Sequence, residues 1–242
     1  MNSKPPISVV STYATDILVD SEGYVISKQK GGPLLFIDQA LKKSSVDYKV
    51  FTGQPMVVEI LINDEGEFGK VSKQPTTREL SAVSAGKWVL VSTILDEWTI
   101  NPKANIPEKL FIDIQGYVRD GHDFGNKKRW DIHKELTDKI YCLKGTEEEI
   151  KYLPTEVVKS QQQRLLLITK GIKGIKMYYK GKVHNIPVKA VEGLKDSLGA
   201  GDTFLANFVI ALYRGNTPYE AATIASEETT KFLEEKLVNS YA

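Results

Sequence analysis

Arg164-Leu165-Leu166-Leu167-Ile168-Thr169 is the segment that most narrows what this chain can become. An amphipathic helix would interrupt such a run with polar residues, and a half-exposed strand would alternate. A short continuous apolar run fits a strand covered on both faces, as in a parallel sheet. Ile7–Val10, Tyr48–Thr52, Trp88–Val91, Leu110–Ile114 and Ile140–Leu143 are further strand candidates. Amphipathic stretches lie between them. One is Leu34 to Leu41, which Gly31-Gly32-Pro33 opens with proline in its first turn. This alternation predicts an α/β chain.

Two regions read differently. Tyr24–Lys28 and Val57–Val71 alternate polar and apolar residues around the turn signal Asp64-Glu65-Gly66. They predict antiparallel strands exposed on one face, a small flap outside the main sheet. Lys176–Tyr179 and Lys182–Pro187 flank a second hairpin signal, Lys180-Gly181. Two helices close the chain, from about Ala200 to Arg214 and from about Pro218 to Glu235. With 242 residues, 41% of them hydrophobic, there is material for one α/β core or a core with a small appendage.

Lys and Arg number 32 against 31 Asp and Glu, with no basic tail or stripe, so an electrostatic nucleic-acid binder is not expected. The single cysteine, Cys142, makes no internal disulfide and reads as a buried strand residue. The first residues lack a signal-peptide pattern, and no stretch reaches the roughly 20 apolar residues of a membrane span. A soluble, cytoplasmic protein is the expectation.

The chemistry concentrates in Asp196-Ser197-Leu198-Gly199-Ala200-Gly201-Asp202, followed directly by the apolar run Thr203 to Ile210. Small residues let backbone approach a ligand closely. The unpaired N–H groups of a helix start attract an anion, and a transferring phosphoryl group is one. Asp202 falls in the first turn, where the helix dipole favours the ionised form that accepts a proton. The same residues would also serve as a Gly-rich turn with an Asp cap.

This segment resembles the C-terminal signature of the ribokinase-like (PfkB) carbohydrate kinases, D-T-x-G-A-G-D-x-F, with Ser197 in place of Thr. The resemblance implies a single ribokinase-like domain over residues 1–242. It would be a three-layer α/β/α sandwich with a mostly parallel sheet and a reduced β lid from about 16–30 and 55–73. It implies a kinase that moves the γ-phosphate of ATP to a substrate hydroxyl with Mg²⁺. Asp202 would be the base, with Gly199, Ala200 and Gly201 as the anion hole. Gly31 and Gly32 resemble the turn that packs against the substrate, and Asp16 stands where relatives grip substrate hydroxyls. Asp113 to Arg119 resembles the D-x-Q-G-x-x-R stretch of short members, giving Gln115 and Arg119 to the substrate. Thr169, Gly171 and Gly174, with Lys144, fall on the nucleotide side. Asp196 and Glu149 are the metal candidates. The family's lids sometimes pair between subunits, so a homodimer is expected.

Each assignment has a plainer reading. Gly31-Gly32-Pro33 is also a helix start, Asp16 a loop carboxylate, Thr169-x-Gly171 a strand end, and Arg119 a surface charge. Lys127-Lys128-Arg129 reads as a solvated turn. Relatives carry N-x-x-E where this chain has Thr146-x-x-Glu149, itself an ordinary capping box. Ribokinase has an Asn where this chain has Phe36, so either the substrate is not ribose or it is held differently. Phe36 reads as helix core or as a face for a nucleobase. P-loop, dinucleotide-fingerprint, protein-kinase and zinc-ligand patterns do not occur. A sugar or cyclitol ranks first as substrate and a nucleoside second. A sugar-sensing protein without turnover is the alternative of another class.

Overall fold

The computed structural model describes residues 7–63, 66–79, 87–101, 107–194 and 196–240. In chain order the first elements are β1 (Ile7–Ser11), β2 (Ala14–Val19), β3 (Val25–Gly31), α1 (Pro33–Ser44), β4 (Tyr48–Phe51), β5 (Met56–Asn63) and β6 (Gly66–Val71). Next come β7 (Arg78–Glu79), β8 (Trp88–Ser92), β9 (Trp98–Thr99), β10 (Lys109–Asp113), α2 (Gln115–Val118), α3 (Lys134–Thr137) and β11 (Ile140–Thr146). The rest are α4 (Thr155–Gln162), β12 (Leu165–Thr169), β13 (Ile175–Tyr179), β14 (Lys182–Ile186), α5 (Ala200–Tyr213) and α6 (Pro218–Ser240).

The apolar runs become the centre of an eight-stranded sheet in the order β14-β13-β12-β11-β10-β8-β1-β4. From β4 to β12 every pairing is parallel, and the β13–β14 hairpin adds an antiparallel edge. The run that opened the sequence reading forms β12, with Leu165, Leu166 and Leu167 buried. Ile7, Val9, Leu90 and Phe111 face α1, α5 and α6 on one side. Val10, Val91, Ile112 and Leu143 face α2, α3 and α4 on the other. The three layers follow from this split, and Cys142 lies buried within it.

Because the central strands run parallel, their C-terminal ends share one edge, where open α/β sheets collect ligands. That edge brings together Ser92 from β8, Asp113 from β10, Thr146 from β11 and Thr169 from β12.

A second sheet, β3-β2-β5-β6, covers this edge. The alternation in the sequence is visible in β5, where Met56, Val58 and Ile60 are buried while Val57 is exposed. The buried side packs with Ala14 and Val71 on Ile94, Leu95 and Phe124 of the main body. The turn residues Asp64 and Glu65 lie outside the described residues. One strand departs from the expectation of antiparallel pairs: β2 inserts between β3 and β5 and pairs in parallel with β5. No helix among the described residues is long and apolar enough to cross a membrane.

Candidate active site

The segment before α5 forms a left-handed turn. Gly199 has φ +84°, and a Cβ there would fall 2.3 Å from the Phe36 ring. Phe36 also packs edge-to-face on Phe232, with centroids 5.8 Å apart. It therefore frames the loop, and, half-buried, it also lines the cavity described below. The loop's entry is held by Asp196, whose Oδ1 accepts the Leu198 N–H at 2.7 Å. Its Oδ2 pairs with Lys236 of α6 at 2.7 Å. The Ala200 N–H is turned back onto the Ser197 carbonyl at 3.0 Å. The remaining first-turn N–H groups of α5 belong to Gly199, Gly201 and Asp202, the positions a helix start leaves without intrahelical partners.

Asp202 is buried in that first turn, and its Oδ1 accepts a 2.8 Å hydrogen bond from the Ser92 hydroxyl. The helix dipole alone would favour an easily ionised carboxyl. Burial and the neighbouring Asp113 outweigh it and push Asp202 up to about 6, against the opposing pull of Lys144, Ser92 and Arg119. A base poised near neutrality is ionised at pH 7 and accepts a proton readily.

Beside it lies a buried ion pair, Lys144 Nζ to Asp113 Oδ2 at 2.6 Å, with side chains 5% and 1% exposed. Burial pulls the Lys144 ammonium down, but Asp113, Asp202 and Glu149 together hold it above its ordinary value. A Cβ on Gly201 would sit 2.7 Å from Lys144 Nζ, so the cation rests against the Gly-Ala-Gly loop.

A cavity of about 710 Å³ extends from the lid past this loop to α6. Asp16, Gly32, Gln115 and Arg119 line its lid end. Asp16 is buried, and its carboxylate occupies the space a Cβ on Gly31 would need, 1.7 Å from Oδ2. Gly31 thus stands behind Asp16 rather than lining the cavity. Arg119 donates to the Ile94 carbonyl at 3.1 Å and lies 4.1 Å over the Phe124 ring. The loop bearing that carbonyl is pinned by Glu97, which accepts the Ile94 and Leu95 N–H groups at 3.0 and 2.8 Å.

The basic turn read as solvated divides. Lys128 pairs with Asp96 and Arg129 with Asp131. Lys127, however, lines the cavity and donates to the Phe124 carbonyl. Ser92, Asp113 and Lys127 were absent from the sequence-derived site. The first two share one available signal, a polar residue ending an apolar strand.

The comparisons agree with this architecture. The pfkB family carbohydrate kinase pattern matches residues 130–228. Over these residues the chain is similar to the PfkB carbohydrate kinases. Inositol 3-kinase of Arabidopsis thaliana is 25% identical over 91% of this chain and 71% of its own. A pyrophosphate-dependent kinase of the ribokinase family, solved with a pyrophosphate analogue and myo-inositol, superposes with TM-score 0.72 at 14% identity, covering 93% of each chain. Arabidopsis thaliana ribokinase, solved with ribose and ATP, gives 0.64 at 17% identity over 96% of this chain and 99% of its own.

On the side away from the lid, Thr169, Gly171 and Gly174 line the cavity, which continues along Val188, Lys189, Leu194, Ser226, Thr230 and Leu233. Thr146 and Glu149 form the capping box: the Thr146 N–H reaches Glu149 Oε2 at 2.7 Å, and the Glu149 N–H reaches Thr146 Oγ1 at 3.2 Å. The box therefore exists, and it leaves Glu149 lining the cavity. Among the described residues no group of three or more His, Cys, Asp or Glu could cage a metal. Magnesium held by one carboxylate, water and nucleotide phosphates needs no such cage. Glu149 fits that mode, whereas Asp196 stands off the cavity with both oxygens committed to the loop and Lys236.

Proposed function

We propose that this protein is an ATP-dependent kinase acting on a hydroxyl of a cyclitol or sugar, with Asp202 as general base. A phosphotransferase acting on a sugar alcohol is what the family match and the inositol kinase relative support. The observation carrying the mechanism is the place of Asp202. It sits at the anion-binding start of α5, in one cavity with the polar groups under the lid.

The chain works as one ribokinase-like unit with its lid over the acceptor. Asp16, Gln115 and Arg119 hold acceptor hydroxyls beneath the apolar lid residues Val58 and Ile60. Asp202 takes the proton of the attacking hydroxyl, whose oxygen forms a bond to the γ-phosphorus. The bond from that phosphorus to the β–γ bridging oxygen breaks, and ADP leaves. The start of α5 and Lys144 hold the negative charge of the transferring group. Bound Mg²⁺ would neutralise phosphate charge, with Glu149 the carboxylate that orients it. Asp196 supports the site by shaping the loop.

Nucleotide rather than pyrophosphate is the donor reading, because the cavity continues past the start of α5 along Val188, Leu194, Thr230 and Leu233, space that pyrophosphate would leave unfilled. A coupled ADP assay with myo-inositol, ribose, fructose, adenosine and cytidine at equal concentration tests the acceptor. Myo-inositol or a free sugar is expected to turn over. Turnover of nucleosides alone would reverse the ranking, and saturable binding without ADP would favour a sensor. Pyrophosphate supporting turnover where ATP does not would overturn the donor reading.

Glu149→Gln retains a cap acceptor while losing the charge. It should leave Tm nearly unchanged and raise the Mg²⁺ concentration giving half-maximal rate. An unaltered Mg²⁺ titration would remove Glu149 from metal binding. The lid exposes Val25, Ile26 and Val57. A second lid covering them gives a homodimer, which sedimentation at micromolar concentration would refute by showing monomer only.

A further inference from the structure

Asp113 has no place in the mechanism so far, and its surroundings suggest one. It ends β10 directly beside Lys144 of β11, in register across the two parallel strands. Its side chain is buried and stands behind Lys144, which lines the cavity as Asp113 does not. One carboxylate oxygen, Oδ2, takes the Lys144 ammonium at 2.6 Å. The other, Oδ1, accepts the Gln115 N–H at 3.1 Å at the start of α2. A third tie, Ile114 N–H to the Lys144 carbonyl at 2.9 Å, locks the two strand ends together. A single carboxylate thus braces the cation against the phosphoryl loop and the backbone of a residue facing the acceptor.

A flexible lysine stem left alone would have many rotamers to lose when a phosphoryl group arrives. Here that freedom is already gone, because the ammonium lies between Asp113 and the Gly201 backbone. Fixing a charge before the reaction is how enzymes avoid reorganising at the transition state.

Resting on the kinase reading above, we propose that Asp113 is a positioning residue for phosphoryl transfer: it holds Lys144 against the Gly199–Gly201 loop so that the cation is in place before the donor binds.

The alternative is that the pair merely holds the sheet edge together, and the test separates the two. Asp113→Asn and Lys144→Met are compared with the double variant D113N/K144M, which removes both charges of the pair together. Positioning predicts that Asp113→Asn lowers kcat by roughly 10–100-fold with little change in acceptor KM. The double variant, though more thermostable than Lys144→Met, stays equally slow. Asp113→Glu should restore part of the rate.

The acid limb of the rate profile gives an independent reading. The charged groups acting on Asp202 are Asp113 from β10, Lys144 from β11 and Arg119 after α2, with the Ser92 hydroxyl from β8. Asp113 raises the titration of Asp202 and Lys144 lowers it. The limb should therefore move to lower pH in Asp113→Asn and to higher pH in Lys144→Met.

Full recovery of kcat in the double variant, or limbs that coincide with the parent in both single variants, overturns the proposal. Should the parent turn over no acceptor at all, the kinase reading is what has failed. Calorimetric binding of β,γ-imido ATP then still decides the role of Asp113. Binding weakened alike in all three charge-removing variants supports it, and unchanged binding sinks it.

Discussion

Asp202→Asn should leave a folded protein that turns over roughly 10²–10⁴-fold more slowly, with acceptor KM little changed. The amide has the shape of the carboxylate and still offers an oxygen to the Ser92 hydroxyl, so the loop has no reason to move. Only the capacity to take the acceptor's proton is lost. Stability should shift the other way. The folded-state titration of Asp202, near 6, lies above that of an ordinary unfolded Asp. The native protein therefore binds the proton more tightly than the unfolded chain. The stabilisation this gives is present at low pH and fades as pH rises through about 6. At pH 7 the ionised, buried carboxylate is a cost that the neutral amide lacks, so Tm should rise in the variant. A variant with lower activity and higher Tm cannot be explained by misfolding. In the parent, activity should fall as pH drops through about 6 and the base is protonated. Near-normal kcat in Asp202→Asn would show that the base is elsewhere.

Much of the molecule is legible in the sequence because its strands are buried on both faces. Apolar runs such as Leu165–Ile168 can be nowhere else, and their number and spacing imply a parallel sheet. The Gly-Ala-Gly turn is legible for a related reason: left-handed backbone at Gly199 needs glycine, and the helix after it is apolar nearly throughout. What stayed hidden depends on which strand neighbours which. Ser92, Asp113 and Lys144 each lie at or near the end of an apolar strand, but the pairing of Asp113 with Lys144 exists only because β10 and β11 are adjacent. Three adjacent charges read as one solvated turn, which holds for Lys128 and Arg129 with their exterior ion pairs, while Lys127 is turned to the cavity by the tertiary fold. β2 escaped because Asp16 interrupts its apolar pattern, and the buried environment that tolerates this carboxylate is supplied partly by Gly31, distant in sequence. The titration of Asp202 was misjudged for the same kind of reason. The helix dipole is local and readable, whereas burial and the charge of Asp113 come from the tertiary fold.

Gly199→Ala should be strongly damaging, and two separable causes predict it. The first is backbone strain, since φ +84° is unfavourable for any residue with a Cβ, by about 1–2 kcal/mol. The second is a collision, because the new Cβ falls 2.3 Å from the Phe36 ring, far inside van der Waals contact. The ring is held by α1 beneath and Phe232 beside it, so the loop must yield instead, carrying the start of α5 with it. A displacement on the order of 1 Å in a group that orients the reaction costs about 10²-fold. Gly199→Ala should therefore lower both Tm and kcat/KM, the latter by about 10²-fold. Gly215→Ala, at the far end of α5, supplies the control: its φ of +102° also disfavours a side chain, but a Cβ there meets nothing within 4 Å. It should show the strain alone, a small fall in Tm with the start of α5 undisturbed. Adding Phe36→Ala to Gly199→Ala removes the collision and keeps the strain, so part of the lost turnover should return while Tm stays low. If Gly199→Ala and Gly215→Ala were equally mild, Phe36 would not be framing the loop, and the anion-binding start of α5 would owe its position to Asp196 and Lys236 instead.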